Sequence, residues 1–268
     1  MPLAFVNGAL LYFAHVPRAA GTSIEQYLVQ RFGPLAFLDP AYLAVPEAER
    51  WSRTSPQHLT AAAMARLVPE SWIRHRFAVV RHPEDRIVSV FRFQRDIEGN
   101  IPQGVSLENW LWSLRAPVIP HQLDNHACAA TLLVPEGATI FRLEDGIDRL
   151  VTWLDGIEGI ARGPRQIVME NGYQQRLQGT RIPPGPAPVV TRTARTLILE
   201  LFWKDFERFG YEPRSGNADN APAAQWPAVR ATEIAWTPHG AAPGPTDVPV
   251  PHSARSAAGI SSQSISLG

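Results

Sequence analysis

The chain has 268 residues, and 25 Lys and Arg are balanced by 25 Asp and Glu for a formal net charge of zero, a length that supports one substantial α/β domain or at most two small ones. The even balance argues against a generally basic nucleic-acid surface or a polybasic membrane patch, so a partner must be recognised locally. A single cysteine, Cys128, excludes an internal disulfide framework and points to a reducing compartment, with the cytoplasm as the expected location.

The stretch MPLAFVNGALLYFAHVP, residues 1–17, lacks the basic start of a secretion signal and reads as a buried strand. No segment reaches the roughly twenty apolar residues of a membrane span. Leu10, Leu11, Tyr12, Phe13 and Ala14 form the continuous apolar run of a strand covered on both faces, a first parallel strand. A small-residue loop carrying Arg18 follows, and then Ile24, Tyr27, Leu28 and Phe32 recur at helical spacing, with Thr22 or Ser23 placed to cap the first turn. The segment HRFAVVRHPEDRIVSVFRFQRD predicts a strand over Phe77–Val80 and a helix over Asp85–Arg95, joined by a short turn at Pro83. ATIFRLEDGIDRLVTWLDGI repeats the pattern, with a strand over Thr139–Arg142 and a helix through Ile147, Leu150, Val151 and Leu154. TARTLILELFWKDFERFGYEP predicts a last helix carrying Leu197, Leu201, Phe202 and Phe206 near one face and stopping at Gly210. The domain is expected to span residues 1–213. Residues 214–268, rich in Pro, Ala and Ser, are expected to form a disordered tail. So few large apolar side chains cannot offset a chain entropy of about 1–2 kcal/mol per residue. Trp226 and Trp236 are its candidates for docking onto the domain or a partner.

Strands alternating with helices argue for a mainly parallel sheet flanked by helices, with ligands at the carboxyl ends of the strands. A loop between a buried strand and a helix turns several backbone N–H groups toward one point, where the helix dipole adds positive potential. In PRAAGTS, Gly21 allows close backbone approach and Ala19 and Ala20 add no bulk. Thr22 and Ser23 bring hydroxyls, and Arg18 brings a full charge. The residues alone leave two readings open, an anion-binding turn and a merely tight strand-to-helix connection. An ordinary kinase or GTPase loop needs a Lys directly before its Ser or Thr and a longer glycine frame, and this loop has neither.

HVPRAAGTS, residues 15–23, resembles the phosphosulfate-binding loop of sulfotransferases. FAVVRHPEDRIVSVFRF, residues 77–93, resembles the same family's element for the 3′-phosphate of 3′-phosphoadenosine 5′-phosphosulfate (PAPS), with Arg81 ending the strand and Ser89 in the helix. DFERFGYEP, Asp205–Pro213, is similar to the closing segment of bacterial and carbohydrate sulfotransferases. The resemblance implies an α/β fold, a P-loop-like three-layer sandwich of sulfotransferase type, with PAPS as sulfuryl donor and 3′-phosphoadenosine 5′-phosphate (PAP) as product. It places Arg18, Ala19, Ala20, Gly21, Thr22 and Ser23 on the 5′-phosphosulfate and Arg81 and Ser89 on the 3′-phosphate, in two separate positive pockets that grip opposite ends of one nucleoside. Arg18 stands where the family usually has a catalytic Lys, so it can neutralise charge on the bridging oxygen but donates a proton poorly.

His58, in SPQHLTAAAMARLVP, resembles the base of uronyl 2-O-sulfotransferases, and an imidazole titrating near 6.5 suits that task. His15 is expected to pack and orient. His121, His126 and Cys128 lack the second matched pair that a zinc site wants, so no metal is expected. Trp110 and Trp112 could stack on an acceptor and Arg92 and Arg95 contact an acidic one, although core packing and a solvated face are the plainer readings. The missing basic excess favours a small-molecule or modest glycan acceptor, with no nucleic acid. Two alternatives stay open: a P-loop nucleotide kinase or ATPase, and a non-catalytic nucleotide-binding protein on the sulfotransferase fold.

Overall fold

Asn7 and Gly8 decide how the chain begins. In the computed structural model, which describes residues 1–116, 121–169 and 173–214, both take positive φ, 48° and 79°. That is the backbone of a two-residue turn whose twist matches a hairpin, and it joins β1 (Leu3–Val6) to β2 (Ala9–Ala14) antiparallel. The single strand expected over residues 1–17 is therefore two, because apolar residues on both sides of the turn disguise the break.

β2 pairs parallel with β3 (Ile73–Val80) and β3 pairs parallel with β4 (Thr139–Arg142), so the four-stranded sheet has the order β1-β2-β3-β4 and is mainly parallel. Parallel neighbours require crossovers. Helices α1 (Gly21–Phe32) and α2 (Ala61–Leu67) lie between β2 and β3, and α3 (Pro83–Asp96), α4 (Leu107–Ser113) and α5 (Ala130–Leu133) between β3 and β4. Helices α6 (Asp148–Glu158), α7 (Tyr173–Gln178) and α8 (Arg192–Phe209) follow.

Alternation along the strands divides the core. Leu11, Phe13, Phe77 and Val79 pack with Ile24, Tyr27 and Leu28 of α1 and Leu150, Val151 and Leu154 of α6. Tyr12, Ala14, Ala78 and Val80 pack on the other face with Met64 of α2, Leu133 of α5 and Phe209 of α8. The central strands are thus covered twice, which is why they read as unbroken apolar runs. A third cluster joins Ile87, Val90 and Phe91 of α3 to Trp110 and Leu111 of α4 and Leu197, Ile198 and Phe202 of α8. Trp110 belongs to that core, and Trp112 packs half-buried against it.

Arg95 departs from the solvated face expected for it. It is buried, its Nε and Nη2 donate to Asp96 at 2.7 and 3.1 Å, and Nη2 also donates to the Pro186 carbonyl at 2.8 Å. The later segment around Gly185, whose N–H donates to Asp96 at 3.0 Å, folds over this side of α3. No local periodicity announces such a cover. Among the described residues no helix is long and apolar enough to cross a membrane. The expected tail lies outside the described residues, Trp226 and Trp236 included, except for Arg214, which clasps Asp85 of α3 at 2.6 and 2.7 Å.

Candidate active site

Residues 15–20 lead from β2 into α1 through two left-handed residues, Arg18 at φ 66° and Ala20 at φ 64°, with Ala19 between them. Such alternation turns successive N–H groups to one side. Ala20 is the N-cap of α1 and no side chain caps the helix. The cap expected from Thr22 or Ser23 does not form, because the helix starts at Gly21 and both residues lie inside its first turn. The N–H groups of a first turn lack intrahelical acceptors, which is the arrangement on which anions settle. Gly21 has a further reason to be glycine: a Cβ there would come within 1.9 Å of His15 Nε2.

β2 and β3 are parallel neighbours, so their carboxyl ends stand side by side, roughly 4.8 Å apart as adjacent strands do. The two pockets expected to be separate therefore meet. Arg18 Nε donates to Ser89 Oγ at 3.1 Å, and Arg81 Nη1 donates to the Arg18 carbonyl at 3.4 Å. Arg18 Cζ sits 4.6 Å from the centroid of the Phe93 ring, and Arg176 of α7 lies over the same ring at 5.3 Å. Burial, and then the charges of Arg176 and Arg81, pull Arg18 down to about 10. Burial also lowers Arg176. Among the described residues the hydrogen-bond partners of Arg18 and Arg81 are a hydroxyl and a carbonyl, so neither guanidinium is ion-paired, and the nearest carboxylate influence is that of Asp85 on Arg81. Sequence reasoning missed Arg176, since nothing in its local pattern separates it from the other arginines.

Beside this seam lies a row of imidazoles. The rings of His15 and His58 meet edge to face at 4.7 Å and those of His58 and His126 at 4.8 Å. His15 Nδ1 is 2.6 Å from Glu25 Oε1, a buried contact that holds the ring against Gly21. His58 closes the short 3-10 turn Pro56–His58, and its Nδ1 is 2.7 Å from Asp124 Oδ2. Gln94 Nε2 donates to His126 Nδ1 at 3.1 Å. Phe93, over which Arg18 lies, also contacts the His126 ring at 5.2 Å, so one aromatic side chain joins seam and row.

Burial lowers His58, against the opposing pull of its hydrogen bond to Asp124, and takes His126 well below the usual imidazole range. Burial pushes the Asp124 carboxyl up, but the hydrogen bonds of His58 and Ser55, with the charge interactions of His58 and His126, outweigh it and hold Asp124 at about 2. His58, Asp124 and His126 could hold a metal ion, each offering one donor atom within 4.8 Å of the others. A cation there would have to displace the donors Ser55, His58 and Gln94 that already occupy these acceptors. His121 is exposed, and desolvation pushes the Cys128 thiol up to about 12.

The structure thus brings Arg18, the 19–23 loop, Arg81, Ser89 and His58 together around the carboxyl ends of the central strands β2 and β3, and adds Arg176, Asp124 and His126, to which the sequence had given no role in the site. Compared with known proteins, residues 7–131 match the family described as the sulfotransferase family. No curated protein and no solved structure gave a match. The matched stretch runs from the hairpin turn to the start of α5 and contains the loop, His58, Arg81, Ser89, Asp124 and His126, while Arg176 falls beyond it. Over these residues the chain is similar to the sulfotransferase family.

Proposed function

We propose that the protein moves a sulfuryl group from PAPS to a hydroxyl or amine of a glycan or small-molecule acceptor, releasing PAP. One observation carries this reading: Arg18 and Arg81, from neighbouring strand exits, form a single seam of positive charge in which, among the described residues, neither guanidinium is ion-paired with a carboxylate. A nucleoside with phosphate at two positions supplies the missing anions, so the residues fit the donor. Arg18 and residues 19–23 would hold the 5′-phosphosulfate, and Arg81 and Ser89 the 3′-phosphate. Bound PAPS supplies the sulfuryl group and a phosphate as leaving group. Arg18 balances the charge that collects on that phosphate, and His58, kept neutral by burial, takes the acceptor's proton. The reading places no metal in the reaction, takes residues 1–213 as the catalytic domain, and assumes a reducing, cytoplasmic setting.

A thermal-shift comparison of PAP with ATP plus magnesium tests the donor. PAP at about a hundred times its dissociation constant should stabilise by roughly 2.7 kcal/mol, and ATP by less. A larger shift with ATP and magnesium points to a kinase or ATPase. Incubation with PAPS and a panel of hydroxyl and amine acceptors should add the mass of one SO3 to a member of the panel. Tight PAP binding without any transfer favours the second reading, a nucleotide-binding protein that lacks the reaction, which the guanidinium at position 18 supports because it releases a proton poorly.

A further inference from the structure

The loop that reaches His58 has an unusual backbone. His121, Leu123, Asp124 and Asn125 have φ of 75°, 53°, 52° and 60°, left-handed conformations that L-residues enter at a cost and keep only where their surroundings hold them. Here both ends of the contact are held. Asn125 Nδ2 donates to the His58 carbonyl at 2.9 Å. Ser55 N–H donates to Asp124 Oδ1 at 2.6 Å and Ser55 Oγ to Oδ2 at 2.7 Å, while His58 Nδ1 faces that same Oδ2 at 2.7 Å.

A neutral imidazole has one N–H and one lone pair, and an ionised carboxylate can only accept. Ser55 Oγ also lies 2.9 Å from Nδ1, but its hydrogen goes to Asp124 Oδ2, so the hydrogen of His58 sits on Nδ1, and Nε2 is bare. We propose that Asp124 is a positioning residue, which by accepting the Nδ1 hydrogen locks His58 in the tautomer whose Nε2 takes the acceptor's proton. The assignment rests on the reading of His58 as the base. In the transfer step the acceptor's O–H or N–H hydrogen passes to Nε2 and the acceptor atom bonds to sulfur. The bond from sulfur to the 5′-phosphate oxygen breaks with its electron pair on that oxygen. Asp124 then faces the imidazolium.

The other titratable groups around the ring are His15 with its partner Glu25, His126, and the amino terminus of Met1. None of them competes for the Nδ1 hydrogen. His15 Nδ1 is committed to Glu25. His126 Nδ1 accepts from Gln94, whose Oε1 accepts from Asn100 Nδ2 at 2.7 Å and so fixes the amide.

Asp124→Asn offers a directional test. Ser55 N–H would keep the amide oxygen in the place of Oδ1, turning the new NH2 toward His58 Nδ1 and moving the ring hydrogen to Nε2. In the full-length protein with 15N-labelled histidine, long-range 1H–15N spectra should show wild-type His58 protonated on Nδ1 and the Asp124→Asn variant protonated on Nε2. The variant's kcat should fall about 10²- to 10⁴-fold, the scale of general-base catalysis, with the KM for PAPS unchanged. The acid limb of its kcat/KM profile should move to lower pH, since the carboxylate that favours the imidazolium is gone, and Asp124→Glu should restore part of the rate. Wild-type His58 protonated on Nε2, or an unchanged tautomer in Asp124→Asn, overturns the assignment, and the wild-type spectrum alone decides it should the variant not fold. The expected tautomer switch in a protein whose wild type sulfates nothing supports the lock and removes the sulfotransfer reading instead.

Discussion

Arg86, fully buried, and Arg18, half-buried, both draw their charge away from water beside α3, and they are satisfied in opposite ways. Arg86 is 1% exposed and donates to the carbonyls of His126 and Cys128 at 3.3 and 2.9 Å and to Asp205 Oδ2 at 3.3 Å. Asp205 in turn accepts from the N–H groups of Ala130 and Thr131 at 2.8 and 2.9 Å. That corner is electrically closed, tying α3, α5 and α8 together. Arg18 finds a hydroxyl and an aromatic face, with the like charges of Arg176 and Arg81 nearby. A charge taken out of water without a counter-ion is unfavourable until a ligand supplies one. What sets the proposed donor-binding arginine apart from the structural one is less its depth than the accounting of its charge.

The sharpest break in this comparison is Arg86→Ala. It leaves Asp205 buried with two amides and no cation, and removing one member of a buried pair costs about 3–5 kcal/mol. Urea unfolding should register that loss, while Arg86→Met, which at least fills the space, should lose less.

Arg18→Ala should do the reverse. Without ligand its stability should stay level or rise, because a guanidinium held at about 10 is disfavoured in the folded state relative to its ordinary value. Transfer should slow by about 10²- to 10³-fold, the roughly 2.7–4 kcal/mol attached to one preorganised donor at a developing negative charge, as read from single-turnover rates with PAPS. An Arg18→Ala protein as unstable as Arg86→Ala would erase the distinction between the two corners.

The two halves of the arginine seam were each legible in the sequence because their chemistry is contiguous: residues 15–23 form one loop, and residues 77–93 carry Arg81 and Ser89 on one strand-to-helix unit. The parallel sheet was legible for the same reason, its central strands being apolar without interruption. What escaped was assembled by tertiary contact. Asp124 meets His58 from 66 residues away, in a loop whose positive φ values no glycine advertises. Arg176 reaches Phe93 from a helix beyond the matched family segment. The merging of the two pockets depended on β2 and β3 being neighbours, a matter of sheet order that strand-by-strand reading does not fix. The hairpin was the exception, since the Asn7-Gly8 signal is local and was outweighed by the apolar run around it.

The smallest expected effect separates the arginine seam from the imidazole row by pH. His58 and His126 are both held below the ordinary imidazole value of 6.5, chiefly by burial. As pH falls through about 6.5 the unfolded chain binds protons that the folded chain refuses, so stability rises with pH across that window and is lost on acidification. Each histidine held fully neutral contributes a slope of about 1.4 kcal/mol per pH unit. Above the ordinary value both states are neutral and the slope vanishes. Asp124, held at about 2, acts in the same direction only below the ordinary aspartate range. Arg18, at about 10, keeps its charge throughout and enters this window only by repelling the His126 imidazolium, a smaller effect than burial. Urea midpoints should accordingly drop between about pH 7.5 and pH 5.5, and His126→Gln should flatten the drop more than Arg18→Ala, which removes only a minor repulsion. A midpoint independent of pH in the wild type would mean that the row accepts protons as readily folded as unfolded, which a desolvated imidazole beside two others cannot do.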